Sequence, residues 1–470
     1  MGRKMSMMKR QIMEKVMSSI LIKNISVCAT MDDKTSELKN CDILIKDGVI
    51  VKIASGIEKV CAENIISGKG RIALPGFVNT HHHFYQTMTR VLPEVANAKL
   101  FEWLIYLYKV WCHLSPEWVE VSTKLAVGEL LLSGCTTSLD HYYVFPENTG
   151  NLIDIEIDTA AKLGIRFHPT RGAMSLGEKE GGLPPDSVIQ KKDEILRDTE
   201  RLISKYHDAA EFAMTRIVNA PCSPFSVTKE LLTESIQMAR KHKLISHTHL
   251  AETIDEENFC IEKFGKTPAK YMEEVGWLGK DVLFAHCVHL SDADIKLLGK
   301  SATGVSHCPT SNMRLGSGIA PIRKLIDAGC AVSIGVDGSA SNDSSNMLLE
   351  VRNTLLSSRV KSGVSFGMSA REALYLATRG GAKALGRGDI GEISEGKAAD
   401  IVLFDFEDIA YAGCGDILEA LVFCGRNFTA DCVIVNGKVL VRNKKLLAFD
   451  EKEIFYEARR IFKKDIAPNL

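Results

Sequence analysis

Between Pro75 and about residue 385 the chain repeats one alternation eight times: a short apolar run, then a longer stretch with apolar residues every three or four positions. The runs are GFVNTHHH, CTTSLDHYY, GIRFHPTRG, MTRIVNAPC, LISHTHLAE, VLFAHCVHL, GVSHCPTSN and AVSIGVDGSA. Short apolar runs suit buried strands, whereas stretches such as PEWVEVSTKLAVGELLLSG and TKELLTESIQMARKHK suit helices with one apolar face. Eight successive strand–helix units predict a (β/α)8 TIM-type barrel over residues 76–385.

The flanks read differently. SILIKNISVCATM and CDILIKDGVIVKIAS precede the barrel, with a hairpin signal at Asp47-Gly48; KAADIVLFD and CVIVNGKVLVRN follow it, the latter turning at Asn436-Gly437. Residues 18–75 and 386–450 are therefore expected to form one small β-sandwich from both chain ends. Residues 1–17 read as a loose extension and 451–470 as a helical tail.

With 45% hydrophobic and 25% charged residues and a net charge of −1, the chain carries no electrostatic footprint for nucleic acid or a membrane surface. It has no apolar run of membrane-spanning length, and the basic start lacks the apolar stretch of a secretory signal. Thirteen cysteines, odd in number and without paired spacing, point to a reducing compartment and a cytoplasmic location. A small-molecule partner fits this balance.

Of thirteen histidines, all but His113, His207 and His242 lie in or just after a predicted barrel strand. Strand C-termini form the catalytic face of such barrels. Side chains two apart on a strand share a face, so His81 and His83 can aim at one point while His82 faces away. Two imidazoles on one face suit a divalent transition metal. His247 and His249 repeat the spacing, Glu252 follows them, and His286 and Asp337 end the sixth and eighth runs. Alone, Asp337-Gly338 reads as a turn and Glu252 as a solvated helix start; their grouping with the histidines gives them functional weight.

LPGFVNTHHH, HTHLAE, AHCVHL, SHCPTSNMRLGSGIAP and GVDGSASNDS, in this order, resemble the aminohydrolase branch of the amidohydrolase superfamily. The resemblance runs from about Ser18 to near the C-terminus. It implies one divalent metal held by His81, His83, His249 and Asp337, a proton shuttle at Glu252, and an imidazole at His286 that contacts the attacking water. Zinc is the default for three imidazoles and a carboxylate; iron or manganese suits the same donors. MTRIVNAPC lacks the lysine that bridges two metals in binuclear relatives, which favours a single metal. Homo-oligomeric assembly is implied as well.

Within the branch, HHHFYQTMTR, FEWLIYLYKVW, GGLPPDSV, APCSPFSVT and AYAGCGDILEALVFCG are most similar to 8-oxoguanine deaminases, with hydroxytriazine aminohydrolases and isoxanthopterin deaminases sharing much of the vocabulary. The implied reaction is hydrolysis of an exocyclic amine, 8-oxoguanine giving urate and ammonia. Asp337 and His286 would orient and deprotonate the water, and Glu252 would protonate the adjacent ring nitrogen and then the leaving amine. Gln86, Trp111, Arg171, Cys222 and Ser341 are the candidate substrate contacts. Gln86 offers an amide edge and Arg171 a planar fork. Trp111 and Cys222 stand where adenosine-type deaminases carry an acidic residue and a histidine, which favours a free base over a nucleoside. Each has a plain structural alternative: Gln86 as a loop cap, Arg171 in an ion pair, Trp111 in helix core. Competing activities are a hydroxytriazine aminohydrolase, a guanine, pterin or adenosine-type deaminase, and an inert barrel kept as a scaffold.

Overall fold

Eight short parallel strands pair in chain order: Phe77–Asn79, Cys135–Asp140, Arg166–Ala173, Val218–Pro221, Ser246–Leu250, Val282–His286, Gly304–His307 and Ala331–Ile334. Each coincides with one of the eight apolar runs, the third extending one residue past its run. The computed structural model describes residues 19–470 apart from 59, 61, 148, 366 and 426–428, so the expected extension over residues 1–17 lies outside the described residues. The first and eighth strands close the barrel: the Thr80 amide donates to Ile334 O at 3.1 Å and the Asp337 amide to His81 O at 3.0 Å.

Helices cover the barrel because their apolar stripes need a buried face. Pro116–Leu132 begins at Ser115, whose hydroxyl accepts from the Trp118 amide at 3.2 Å, and Pro116 occupies the first turn, where no amide donor is lost. The tail forms the helix Glu451–Ile461, which packs on Pro116–Leu132.

Strands from both chain ends form one nine-stranded mixed sheet, separate from the barrel. Its hairpins turn where the sequence placed them: Asp47 and Gly48 have φ of 49° and 80°, Asn436 and Gly437 of 47° and 76°. Positive φ at both central residues is what a two-residue turn between right-twisted strands requires. The sheet is anchored beneath the barrel by Arg166, whose buried guanidinium donates to both oxygens of Asp400 at 2.9 and 3.0 Å. Asp400 also accepts from the Asn436 amide at 2.7 Å, tying a hairpin tip to the same joint. With its base fixed in this way, the barrel presents the opposite, C-terminal ends of its strands as the functional face.

Candidate metal centre and substrate cavity

Four ligand atoms from three barrel strands meet at this face. His83 Nε2 lies 3.2 Å from His249 Nε2, and His81 Nε2 and His83 Nε2 each lie 3.3 Å from Asp337 Oδ1. All four side chains are buried.

The hydrogen bonds behind the imidazoles fix which nitrogen each presents. His83 Nδ1 faces His141 O at 2.7 Å and His249 Nδ1 faces Cys222 O at 2.7 Å; a carbonyl only accepts, so both nitrogens carry the proton. His81 is set by a two-step relay. His247 Nδ1 donates to Leu283 O at 2.9 Å, and burial keeps this imidazole neutral, its pKa pushed down to about 3. Its Nε2 therefore accepts from His81 Nδ1 at 2.7 Å, leaving His81 Nε2 with a lone pair and no hydrogen-bond partner. Three imidazole lone pairs and a carboxylate oxygen thus face one another without a proton between them.

That arrangement is repulsive on its own and fits a cation. Donors that share one cation at ~2.0–2.1 Å stand roughly 3 Å apart, and three of the pairs here lie at 3.2–3.3 Å. The fit is to one transition metal, with neutral imidazoles as ligands and backbone carbonyls or His247 orienting them from behind.

Beside the cluster, Glu252 is buried with Oε1 unpaired, and its Oε2 lies 3.5 Å from His286 Nε2. Burial, then the charges of Asp337 and Glu256, raise its pKa well above the usual carboxyl range, which favours its protonated form. His286 is pushed down to about 4, mainly by burial. The Asn312 amide nitrogen lies 2.9 Å from His286 Nδ1, so Nδ1 accepts and Nε2 carries the proton toward Glu252 and Asp337 Oδ2, 3.9 Å away. In this arrangement His286 is a hydrogen-bond donor, and Asp337 Oδ2 is the group able to take a proton from water.

The cluster forms one end of a pocket that opens toward solvent. Gln86, Cys222 and Ser341 line it. Ser341 Oγ also reaches Asp337 Oδ2 at 3.4 Å, and Gln86 Oε1 is buried without a partner. Trp111 and Arg171 do not line it. Trp111 is helix core: its indole donates to Thr89 Oγ1 at 3.2 Å and its ring stands edge-on to Tyr85. Arg171 faces away, bonding Asp198 at 2.6 Å and Gln190 at 2.9 Å with its guanidinium 3.8 Å from the Phe145 ring centroid. Both hold the plain structural role open to them from the sequence.

The cavity wall is instead aromatic, from Trp103 and Tyr108 on the helix Leu100–Trp111, Tyr143 beyond the second strand, and Phe225. Trp103 Nε1 and Tyr108 Oη are buried with no hydrogen-bond partner. Tyr143 was legible by parity, two residues past His141. Trp103 and Tyr108 lie in the same FEWLIYLYKVW tract as Trp111, one to two turns earlier.

Gly338 lies directly under Gln86: a Cβ there would stand 1.8 Å from Gln86 Oε1. Its φ of −69° suits any residue, so Gly338→Ala displaces Gln86 without straining the backbone. The substitution tests Gln86 as a ligand contact: loss of one hydrogen bond of ~0.5–1.5 kcal/mol is expected to lower kcat/KM by up to about tenfold at an unchanged melting temperature.

The chain belongs to the amidohydrolase family, whose model matches residues 72–440. It is 47% identical to the 8-oxoguanine deaminase of Pseudomonas aeruginosa over 398 residues, covering 84% of this chain and 88% of that one. It is 34% identical to the hydroxydechloroatrazine ethylaminohydrolase of Pseudomonas sp. strain ADP, over 96% of both chains. Among solved structures, the atrazine chlorohydrolase of Arthrobacter aurescens TC1 complexed with zinc superposes with a TM-score of 0.90 at 33% identity, covering 94% of this chain and 99% of that one. The family and the site chemistry define a metal-dependent hydrolase acting on C–N bonds.

Proposed function

We propose that this protein deaminates 8-oxoguanine, adding water and releasing urate and ammonia. The observation that carries the reading is the buried Glu252 carboxyl, one oxygen without a partner, beside three converging imidazoles and Asp337 at the end of an aromatic pocket. His81, His83, His249 and Asp337 hold the metal, and zinc fits the spacing of their ligand atoms. A divalent metal bound there lowers the pKa of a coordinated water from ~15.7 toward ~7.

The chain's own groups do the rest. Asp337 Oδ2 takes the proton of the attacking water, and His286 Nε2–H steadies the developing negative charge. Glu252 gives its proton to the ring nitrogen beside the amine-bearing carbon, takes up the proton that the added hydroxyl loses as the carbonyl forms, and passes it to the amine as the C–N bond breaks; the proton held by Asp337 then returns to Glu252. Proton transfer by such a positioned group contributes ~10²–10⁴-fold.

The aromatic wall takes the flat faces of the base. The unpaired Tyr108 hydroxyl and Trp103 N–H donate to its acceptors, while the Gln86 amide and Ser341 serve the edge nearest the metal. Cys222 packs on the ring as a neutral thiol, its pKa pushed up to about 12 by burial. The 47% identical relative supports an oxidised purine. The twelve unpaired thiols among the described residues support a reducing, cytoplasmic setting. Assembly as a homo-oligomer belongs to the same reading.

The second reading, a hydroxytriazine aminohydrolase, is favoured by the 34% identical relative that matches nearly the whole chain. Assays of 8-oxoguanine, guanine, isoxanthopterin and hydroxyatrazine on one preparation separate the two. The highest kcat/KM is expected for 8-oxoguanine; turnover of the triazine with none of the purines or the pterin refutes the first reading.

A further inference from the structure

Thr253 through Glu256 spells a capping box at the start of the helix Ile254–Phe264: the Thr253 hydroxyl accepts from the Glu256 amide at 3.4 Å. In that motif the acidic side chain at the third helical position returns to the amide of the cap residue itself. Glu256 goes further. Its Oε1 accepts from the Ala251 amide at 2.8 Å and its Oε2 from the Glu252 amide at 3.0 Å, so both carboxylate oxygens hold the two residues that follow the fifth barrel strand.

This turn needs holding. Ala251 sits at φ 51°, a left-handed conformation unfavourable for a residue with a Cβ. It turns the chain sharply enough to send the Glu252 side chain toward His286. The Ala251 carbonyl is fixed from the other side by the amides of Val288 and His289, each at 2.9 Å. Glu256 is fully buried. The titratable groups around it are Glu252 and the thiols of Cys222, Cys260 and Cys287; burial pushes its pKa up to about 7 against the pull of the two peptide donors, and no cation pairs with it among the described residues.

We propose that Glu256 is a positioning residue for proton transfer, clamping the backbone of residues 251 and 252 so that the Glu252 carboxyl is aimed at the reacting ring. The inference rests on the reading of Glu252 as the proton carrier.

The test compares metal-loaded wild type with Glu256→Gln and Glu256→Ala, using 8-oxoguanine as substrate, and includes Glu252→Gln. Glutamine keeps the shape but offers one acceptor where two are used. A misplacement of about 1 Å costs on the order of 100-fold. Both Glu256 variants are therefore expected to lose about 30- to 100-fold in kcat, with KM within about threefold and one metal per chain retained. The proposal is overturned if kcat stays within about threefold of wild type, or if activity falls only in proportion to metal lost. Glu252→Gln separates the two layers: a fully active Glu252→Gln removes the proton-carrier reading itself, whereas an inactive Glu252→Gln beside an active Glu256→Gln removes the positioning role alone.

Discussion

Glu252→Gln will lower kcat by about 10²- to 10⁴-fold while leaving metal content and fold intact. The size of the loss follows from the chemistry. Water cannot add to an aromatic ring carbon unless the neighbouring nitrogen is protonated as the bond forms, and the departing amine needs a second proton. Glu252 is the carboxyl placed to make both transfers: it is buried, one oxygen is unpaired, and the other lies 3.5 Å from His286. Glutamine is nearly isosteric but cannot release a proton. Since Glu252 is not among the converging ligand atoms, metal analysis should give the wild-type stoichiometry. Retained turnover in a metal-replete variant would refute the assignment.

The second large effect concerns the metal itself. Stripping the protein with a chelator is expected to abolish turnover and lower its melting temperature, with both restored by adding back zinc. A ligand present at a thousand times its Kd stabilises the folded state by about 4 kcal/mol, a shift of several degrees. The cause is visible in the cluster. Without a cation, the lone pairs of His81, His83 and His249 and the Asp337 oxygen face each other at 3.2–3.3 Å with nothing between them. A chelated protein of full activity and unchanged melting temperature would overturn the metal assignment.

Much of this site was legible in the sequence because strand parity is a local rule. The two-residue spacing puts His81 and His83 on one face, and it distinguishes Tyr143 from its neighbour Tyr142. The same rule applied to Arg171 assigns it to the face opposite Thr170 and Gly172, the side of the strand that meets the helix of Asp198; chemical suitability for a carbonyl outweighed parity in that expectation. Trp111 was a question of helical turn rather than of tract. The helix Leu100–Trp111 does supply the cavity wall, but its last turn is roofed by Thr89 and Tyr85 while its earlier turns are open to the ligand.

The outer layer was not legible at all. His247 shares parity with His249 and reads as a second ligand, yet it sits behind His81 and sets its tautomer. That relation joins residues 166 positions apart and depends on the fold. The reach of Glu256 beyond its own helix cap is likewise invisible to a motif that ends at the cap.

Three of the four proposed ligands, His81, His83 and Asp337, lie just beyond the first and eighth strands, which meet last in chain order. Thr80 and Ile334, bonded across the barrel seam, are 254 residues apart, and the Asp337 amide to His81 carbonyl bond extends the same seam to the metal ligands themselves. A nascent chain that has made seven strands holds three imidazoles but not the fourth donor. On the proposed ligand set, the full donor set forms only once the eighth strand has docked, so a fully coordinated site requires a finished barrel. Partly synthesised or misassembled chains will compete poorly for the ion, and metal occupancy in a preparation reports on completed folding as directly as on enzyme content.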